Sequence, residues 1–305
     1  MFSQDSTNAL IRALRENAPV GAGTEPHLLA VIADSAAHPG RLVRARLVHA
    51  AALAHGQDSG ASEQLACAVE YFHVASLLLD DLPCMDDAET RRGRPCAHRV
   101  HGEASTILGA LAFINRAYAL ANLAFAPQTP AIRVYAHLCL DACLGTAGLV
   151  GGQALDLRFA EGTADARAVA VVAMRKTAAL FWLSVVFPAL LANPTAAELR
   201  ELKALCLYWG LAYQAVDDLS DVLASSIETG KTTGRDRALQ RPNLALVLGV
   251  PAARRRLVRL ASQATATITR LEALHSRWDY LVRFHRSLFI GQVASLVDLS
   301  AARAA

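Results

Sequence analysis

Four carboxylates lie within residues 80–87, and two adjacent arginines follow them closely. Residues 80–92 read Asp-Asp-Leu-Pro-Cys-Met-Asp-Asp-Ala-Glu-Thr-Arg-Arg. Carboxylate oxygens are ligands that a hard cation such as Mg²⁺ prefers. Adjacent guanidinium groups suit a phosphate or diphosphate, because each one offers a planar fork of donors. The segment therefore indicates a site for Mg²⁺ and a diphosphate, although a charge cluster taken alone is more often a solvent-exposed acidic turn followed by a basic one.

A second acidic cluster follows far downstream, on an apolar segment. Residues 214–221 read Gln-Ala-Val-Asp-Asp-Leu-Ser-Asp. In a helix, Asp217 and Asp221 share one face, and Gln214 lies one turn earlier. Buried carboxylates are costly unless they are compensated, and a shared cation with a bound ligand would offset that cost. The alternative is the exposed N-terminal end of a new helix, where aspartate is favourable.

Shorter motifs stand between and after the two clusters. They are His98 with Gly102-Glu103-Ala104, Gly151-Gly152-Gln153 with Asp156-Leu157, Lys176-Thr177, and Gly230-Lys231 with Asp236. From about residue 40 to 249, the order and spacing of these motifs resemble those of the trans-isoprenyl diphosphate synthases, and within them the bacterial geranylgeranyl diphosphate synthases. An ordered set of motifs is far more specific than any one of them.

The resemblance implies a chain-elongating prenyltransferase that makes geranylgeranyl diphosphate. Such an enzyme ionises an allylic diphosphate (dimethylallyl, geranyl or farnesyl). The double bond of isopentenyl diphosphate then attacks the cation, and a proton is lost. The expected cofactor is Mg²⁺, about three ions together with the bound diphosphate. Placement of charge and exclusion of water carry this catalysis.

The matching motif positions imply roles for individual residues. The implied Mg²⁺ ligands are Asp80, Asp81, Asp86, Asp217, Asp218 and Asp221, and the implied catalytic residues are Asp80, Asp81, Asp86, Lys176, Thr177, Gln214, Asp217 and Asp218. Contacts to the allylic diphosphate are implied for Arg91, Lys176, Gln214 and Lys231, with Thr177 stabilising the developing cation, and contacts to isopentenyl diphosphate for Arg44, His73 and Arg92. Without the resemblance, Lys176 is more readily a solvated helix lysine, and His73 is as readily a packed core histidine.

The sequence departs from the family pattern near residue 40. The family usually has Gly-Lys-Arg-x-Arg-Pro, whereas this chain has Gly40-Arg41-Leu42-Val43-Arg44-Ala45. Arg41 keeps the charge of the lysine but not its point-like geometry. Arg241 stands where the family usually has a second lysine near the diphosphate. Both arginines are predicted substrate contacts, and the changes concern affinity for isopentenyl diphosphate more than the reaction class.

Product length is predicted from the residues one or two turns before Asp80. In the family, a bulky aromatic residue at the positions of Ala75 or Ser76 resembles a floor that stops growth at the fifteen-carbon product. Both residues are small here, whereas Phe72 is large enough to form a deeper floor. A floor one turn lower lengthens the cavity by ~5 Å, about one isoprene unit. We therefore expect the twenty-carbon product, with ordinary core packing as the alternative role of Phe72.

Composition limits the class of protein. The 305 residues are 53% hydrophobic and 19% charged, with a net charge of +3, so a large core is expected and a dedicated nucleic-acid binder is not. The six cysteines form no Cys-x-x-Cys pair and are expected to be reduced thiols. The N-terminus lacks the pattern of a signal peptide. The most apolar stretch, 178–192, is interrupted by Ser184 and Pro188 and falls short of a membrane span. A cytoplasmic protein without a membrane span is predicted.

Helical periodicity runs through most of the chain, and no convincing alternating strand pattern occurs. Helices are expected near 8–15, 26–37, 41–55, 65–81, 103–125, 130–149, 151–159, 164–192, 196–225, 243–248, 251–274 and 277–302. Pro83 should end the helix before the first cluster, so that a loop separates Asp80 from Asp86. A single all-α domain over residues 1–305 follows. The resemblance implies an antiparallel helix bundle of the isoprenoid synthase type around a deep central cavity, as a homodimer.

Other functions remain open at this point. A farnesyl or longer-chain synthase differs only in product length. A class I terpene cyclase shares the aspartate-rich motif, but its second metal motif normally mixes Asn, Ser or Thr with Glu, whereas this chain has Asp217, Asp218 and Asp221. A non-catalytic subunit that regulates a partner synthase should tolerate loss of metal ligands, yet both clusters are intact. The synthase is therefore favoured.

Overall fold

The computed structural model describes residues 4–162, 165–223 and 235–289. The chain divides into two compact units. The N-terminal unit consists of Phe2–Ala136 with Phe187–Ala192, and the C-terminal unit consists of His137–Val186 and Asn193–Ala305, with Met1. The single domain expected over residues 1–305 therefore stays a prediction.

The N-terminal unit is built from helices and one very short hairpin. Its elements are α1 (Gln4–Glu16), α2 (Pro26–Ala37), α3 (Val43–Ala54), α4 (Ser59–Asp80), β1 (Thr90–Arg91), β2 (Arg94–Pro95), α5 (Ala97–His101) and α6 (Glu103–Phe125). The central helix is α4, which packs against α3 and α6. Tyr71 of α4 is buried, contacts the Phe113 ring at 5.1 Å between centroids, and donates its hydroxyl to the Leu14 carbonyl at 2.5 Å.

Helix α4 begins earlier than the sequence predicts. The side chain of Asp58 accepts hydrogen bonds from the backbone N–H groups of Gly60 and Ala61, at 2.9 and 3.2 Å. This N-cap supplies partners for amides that have none inside the helix. The helix therefore starts at Ser59 and runs to Asp80 without interruption, which places the first aspartate at its C-terminal end.

The remaining elements follow in chain order. They are α7 (Pro130–Leu144), α8 (Leu149–Leu157), a 3₁₀ turn (Phe159–Glu161), α9 (Ala166–Ala173), a π-helical turn (Met174–Ala178), α10 (Ala179–Leu191), α11 (Ala196–Leu223), α12 (Arg235–Ala238), α13 (Leu244–Leu248), α14 (Val250–Leu274), a 3₁₀ turn (Ser276–Trp278) and a helical segment α15 over residues 280–289. The main pairing in the C-terminal unit is between α11 and α14. Trp209 of α11 is fully buried and stacks near His285, to which its Nε1 donates a hydrogen bond at 3.0 Å.

The all-α prediction is confirmed, with local differences. The hairpin of β1 and β2 was not expected, and a π-helical turn interrupts the predicted helix over 164–192. The helix expected over 277–302 is a 3₁₀ turn followed by α15 within the described residues. All six cysteines are free thiols, as predicted, and Cys84 is the exposed one.

The length argument against a membrane span is wrong for the most apolar stretch. The helix extends back from 178 to Ala166, and Ala166–Leu191 is long and apolar enough to cross a membrane. Glu103–Phe125 and Pro130–Leu157 also qualify by length and composition alone. In Ala166–Leu191, 61% of the most apolar window is buried within the protein, as in a core helix. The absence of a membrane span stays a prediction.

Candidate functional site

The first aspartate cluster lies where α4 ends. The backbone N–H of Asp86 donates to the carbonyl of Asp80 at 3.0 Å, and the N–H of Ala88 donates to the carbonyl of Asp81 at 3.1 Å. These bonds fold residues 82–88 back on the end of the helix. The loop predicted between Asp80 and Asp86 is therefore present, and it brings the backbone of Asp86 back beside that of Asp80. Asp80 and Asp81 are buried, whereas Asp86 is half-buried.

A bidentate ion pair joins this cluster to the following arginines. Arg91 Nε lies 2.9 and 2.7 Å from the two carboxylate oxygens of Asp81, and its Nη2 lies 2.6 Å from Oδ1. Arg91 belongs to β1, where it pairs with Arg94 of β2. Arg92 and Gly93 form the turn with positive φ values of 56° and 74°. The hairpin thus directs Arg91 towards Asp81, whereas Arg92 donates to the carbonyl of His38.

A buried carboxylate lies among the residues predicted to contact isopentenyl diphosphate. Glu70 of α4 is 1% exposed, and its Oε2 accepts the backbone N–H of Ala45 at 3.4 Å. Burial raises the pKa of Glu70, and the charges of Arg44 and Arg92 oppose that rise. Burial, together with Arg44 and Arg92, holds the pKa of His73 well below its ordinary value. The structure therefore brings Arg44, His73 and Arg92 to one region, and their contact with isopentenyl diphosphate stays a prediction.

The predicted chain-length residues lie on the preceding turns of α4. Ala75 is 1% exposed, and Ser76 is half-buried, with its hydroxyl donating to the carbonyl of His73 at 2.8 Å. Phe72 is 3% exposed and meets the ring of Tyr118 edge-on, with centroids 5.1 Å apart. Phe72 thus has a packing role, as the sequence allowed, whether or not it also limits product length.

The second aspartate cluster lies in the last turns of α11 and continues a chain of hydrogen bonds. Thr177 Oγ1 donates to Gln214 Oε1 at 3.0 Å, and Gln214 Nε2 donates to Asp218 Oδ1 at 2.8 Å. The other oxygen of Asp218 accepts the backbone N–H of Leu244 at 2.7 Å. The cluster lies well after the start of α11 at Ala196, so the alternative of an exposed helix start is wrong. Asp218 is 1% exposed, whereas Asp217 and Asp221 are half-buried.

Asn243 extends this network to a further carboxylate. It caps α13 by accepting from the N–H groups of Ala245 and Leu246, at 2.9 and 3.0 Å. Its amide also donates to the carbonyl of Asp218 at 3.1 Å and to Asp236 Oδ2 at 2.8 Å. Burial, with a smaller contribution from neighbouring carboxylates, raises the pKa of Asp218 to about 8 and that of Asp236 to about 6.

The π-helical turn carries Lys176 and Thr177. Lys176 Nζ pairs with Asp156 Oδ2 at 2.8 Å. Glycines on two other helices allow close approach to this turn. A Cβ on Gly152 of α8 would lie 2.7 Å from the backbone N of Lys176, and one on Gly210 of α11 would lie 2.6 Å from Cα of Ala178. Such distances are shorter than real Cβ contacts, so both positions require glycine.

Three predicted contacts stay predictions, and some site residues were not predicted. Arg41 is exposed and Arg241 is half-buried, while Lys231 lies outside the described residues. The unpredicted participants are Glu70, Asp156, Asp236 and Asn243. Asp156 and Asp236 stand inside motifs quoted from the sequence, so their charge was a usable signal. Glu70 was detectable as a lone carboxylate in the apolar stretch of α4, whereas nothing in the sequence distinguished Asn243.

The donors of each cluster, taken by itself, suit a hard divalent cation that a diphosphate helps to hold, because carboxylate oxygens are ligands that Mg²⁺ prefers. The raised pKa values of Asp218 and Asp236 mark a site where negative charge lacks full compensation. Within the described residues, no three His, Cys, Asp or Glu side chains form a metal site by themselves. Mg²⁺ normally binds through one or two carboxylates with substrate phosphates and water, so a complete protein cage is not required.

Comparison with known proteins decides the family. A family model described as polyprenyl synthetase matches residues 25–277. The chain belongs to this family. A chloroplastic geranylgeranyl pyrophosphate synthase of Capsicum annuum is 34% identical over 255 residues, which are 83% of this chain and 68% of that protein. One from Catharanthus roseus is 36% identical over 221 residues, 70% of this chain and 60% of that protein. The chain thus spans about three fifths of the length of the second relative.

Solved structures share the fold of this chain. An FPP/GFPP synthase from Zymomonas mobilis aligns with a TM-score of 0.77 and 29% identity, over 92% of this chain and 95% of that one. A geranyltransferase from Helicobacter pylori, complexed with magnesium and isoprenyl diphosphate, aligns with a TM-score of 0.83 over 95% and 99% of the two chains. At 24% identity, the second likeness shows the fold alone. The predicted family, the isoprenoid synthase fold and the trans-prenyltransferase class are confirmed.

Proposed function

We propose that this protein is a geranylgeranyl diphosphate synthase. It would condense isopentenyl diphosphate with dimethylallyl, geranyl or farnesyl diphosphate. The observation that carries the proposal is the bonded series Thr177–Gln214–Asp218, which starts beside Lys176 on the π-helical turn and ends at the second aspartate cluster. It joins a cation, a hydroxyl and a carboxylate cluster in one rigid arrangement, which suits a diphosphate leaving group and the cation it leaves behind.

The allylic substrate would be held through its diphosphate. Lys176, Gln214, Arg91 and Lys231 are the proposed contacts, and Thr177 would face the developing positive charge. When bound, about three Mg²⁺ ions neutralise the charge of the leaving diphosphate. Asp80, Asp86, Asp217 and Asp221 are the proposed direct ligands. Asp81 and Asp218, whose oxygens accept hydrogen bonds from protein donors, would add charge and orient their neighbours, with direct ligation at the remaining lone pairs.

Isopentenyl diphosphate would bind at the cations near the start of α3. Arg44 and Arg92 would take its diphosphate, and His73, kept neutral by its surroundings, would donate a hydrogen bond. Arg41 and Arg241 are proposed as further anion contacts. Glu70 lies buried near Arg44 and Arg92, whose charges oppose the rise that burial causes in the pKa of Glu70. The diphosphate of the substrate and Glu70 would both interact with Arg44 and Arg92, each from a different side.

The twenty-carbon product, the homodimer and the cytoplasmic location are further parts of the proposal. The small side chain of Ala75 would leave space for the product along α4, and Phe72, which is buried one turn earlier, would close that space. Support for a dimer comes from α6, where Leu108 and Leu111 are each 54% exposed and lie on one face of the helix. Apolar residues exposed in this way favour association with another protein surface.

The proposal is tested by turnover with defined substrates. Isopentenyl diphosphate is incubated with each of the three allylic diphosphates and Mg²⁺, and the products are identified by mass spectrometry. Geranylgeranyl diphosphate is expected from all three, no turnover is expected in EDTA, and restoration is expected with Mg²⁺. Asp80→Ala and Asp217→Ala should each lower kcat by at least about a hundredfold, because each removes charge stabilisation in the transition state.

Three outcomes would contradict the proposal in different ways. Cyclic hydrocarbons formed without isopentenyl diphosphate would indicate a terpene cyclase. Turnover only after addition of a partner synthase would indicate a regulatory subunit. Near-normal turnover of Asp80→Ala or Asp217→Ala would contradict the metal-binding role proposed for the substituted aspartate.

A further inference from the structure

The turn between α2 and α3 has an unusual backbone. Gly40 has φ +78°, and Leu42, two residues later, has φ 51°. Leu42 is the N-terminal cap of α3 and is 1% exposed. This turn precedes Arg44, one of the proposed contacts to isopentenyl diphosphate. Its left-handed residues therefore fix where α3 begins and where Arg44 projects.

Arg92 lies directly against this turn. A Cβ added to Gly40 would have three atoms of the Arg92 side chain as its nearest neighbours, among them Nε at 2.6 Å. Arg92 Nη1 also donates to the carbonyl of His38 at 3.4 Å. The guanidinium thus occupies the volume that any side chain at residue 40 would take. Arg92 itself has φ 56°, so both Gly40 and Arg92 have a left-handed backbone conformation.

Conformation alone does not explain the glycine. Gly56 and Gly93 also have positive φ values, of 62° and 74°, and a Cβ on either would meet nothing within 4 Å. At those positions the backbone angle is the whole requirement. At Gly40 there is a second requirement, space for a guanidinium. Because the obstructing atoms are the far end of a flexible side chain, a methyl group there would move Arg92 before it disturbed the fold.

We propose that Gly40 is a positioning residue for the homoallylic substrate. By leaving room for the Arg92 guanidinium, it holds that fork of donors beside the turn that leads to Arg44, where a diphosphate can be bound by both arginines. This inference rests on the proposed function, which assigns Arg92 to isopentenyl diphosphate. It adds that residue 40 affects the binding of isopentenyl diphosphate and not that of the allylic substrate, and that it does so only through Arg92.

The experiment compares Gly40→Ala with Gly56→Ala, a matched control with the same backbone strain and no neighbour. KM for isopentenyl diphosphate, KM for the allylic diphosphate, kcat and Tm are measured for both. Gly40→Ala should raise KM for isopentenyl diphosphate by about tenfold or more, because small misplacements of a binding group have large effects. KM for the allylic substrate should stay within about twofold. Gly56→Ala should lower Tm while leaving both KM values unchanged.

A double variant separates this inference from the proposed function. In Arg92→Ala, the further change Gly40→Ala should have no effect on KM for isopentenyl diphosphate, because the group it displaces is gone. If Gly40→Ala alone is poorly folded, the double variant should recover the Tm of Gly56→Ala, since the clash is removed.

Each adverse result has its own meaning. Equal effects of Gly40→Ala and Gly56→Ala, additive effects in the double variant, or no recovery of Tm would overturn the positioning role. An unchanged KM in Arg92→Ala itself would instead contradict the assignment of Arg92 to isopentenyl diphosphate.

Discussion

Asp81 and Asp218 occupy equivalent places, since each is the second member of an adjacent aspartate pair. Both have protein donors on both oxygens, from Arg91 in one case and from Gln214 and Leu244 in the other. The sequence presents the aspartates of each pair as alike. In the second pair, Asp218 is buried and Asp217 is half-buried, because adjacent residues on a helix point in directions about 100° apart. Substitutions at the first and second positions should therefore not be interchangeable.

Ala75→Phe is expected to shorten the product to farnesyl diphosphate. Ala75 is almost fully buried one turn above Phe72, so a phenyl ring there would occupy the space proposed for the growing chain. The change should also cost about 1–3 kcal/mol of stability through overpacking. Products are identified by mass spectrometry with dimethylallyl diphosphate as the starter, and Tm is measured alongside.

Val74→Phe is the matched control for this change. Val74 is half-buried and points to a different side of α4, so this variant should keep the twenty-carbon product. An unchanged product from a folded Ala75→Phe protein would show that the chain does not run past this face of the helix.

At the scale of elements, the π-helical turn depends on how closely α8 and α11 approach it. Glycine in a helix is normally less stable than alanine by about 0.5–1 kcal/mol. At Gly210 of α11, glycine is expected to be more stable than alanine, because its Cα faces the backbone of Ala178. An alanine there must push α11 away from the turn that carries Thr177. The hydrogen bond from Thr177 to Gln214 would then lengthen.

Gly210→Ala should therefore lower both stability and kcat. We expect a loss of about 1–3 kcal/mol in the free energy of unfolding and at least about a tenfold fall in kcat. Urea unfolding and steady-state kinetics measure the two effects. Gly162→Ala is the control, because a Cβ there would approach nothing closer than 3.9 Å. A Gly210→Ala protein that gained stability would contradict the close contact.

Glu198 fixes the start of α11 through a set of charged and neutral donors. Its oxygens accept from Arg277 Nη2 at 2.6 Å, from Trp278 Nε1 at 2.8 Å and from the backbone N–H of Thr195 at 2.7 Å. Burial acts to raise the pKa of Glu198, but the bonds to Arg277, Thr195 and Trp278 outweigh it and lower the pKa from 4.5 to about 2. Because the pKa is lowered, the stability that Glu198 contributes at this end of α11 depends on pH.

Stability should fall in acid because of this carboxylate. A folded-state pKa below the unfolded value means that the unfolded chain binds more protons between pH 4.5 and about 2. The contribution of Glu198 is therefore complete above pH 4.5 and is lost as the pH falls towards 2. Glu198→Gln should be less stable at pH 7 by about 1–3 kcal/mol and should show a flatter decline of Tm in acid. Glu201→Gln, which breaks a surface pair with Arg270, should change both by little; parallel acid profiles of wild type and Glu198→Gln would exclude this role.

The sequence predicts the helices better than the connections between them. Apolar periodicity places α2, α6 and α14 within a residue of their observed ends, because that pattern directly reflects which face is buried. The hairpin around Arg92 is too short to leave a pattern, and the π-helical turn depends on glycines in other helices. The same holds for the site. The charged motifs were recognisable, whereas the role of Asn243 arises from contacts between segments distant in sequence.

At the scale of the whole molecule, the surface of α6 is the feature that the fold of one chain leaves unexplained. Ile107, Leu108, Leu111 and Leu123 are exposed, between 39% and 54% of each side chain. The helix is also apolar and long enough to be a candidate membrane span. Stable protein interfaces bury about 800 Å² per partner around an apolar centre. The exposed apolar face of α6 could thus contact either a second copy of the chain or a lipid surface. We predict the second copy, which gives a homodimer.

Replacing Leu108 and Leu111 together by glutamate should convert the dimer to a monomer. Two charges in the centre of an apolar interface would have to be desolvated without partners, which is costly. Light scattering after size exclusion should give twice the chain mass for the wild type at micromolar concentration and the single chain mass for the double variant. Leu53→Glu is the control, since Leu53 is 69% exposed in the same unit and should leave the dimer intact. A wild-type protein that is monomeric and sediments with phospholipid vesicles would show that lipid covers α6 instead. A double variant that remains dimeric would place the dimer interface elsewhere on the chain.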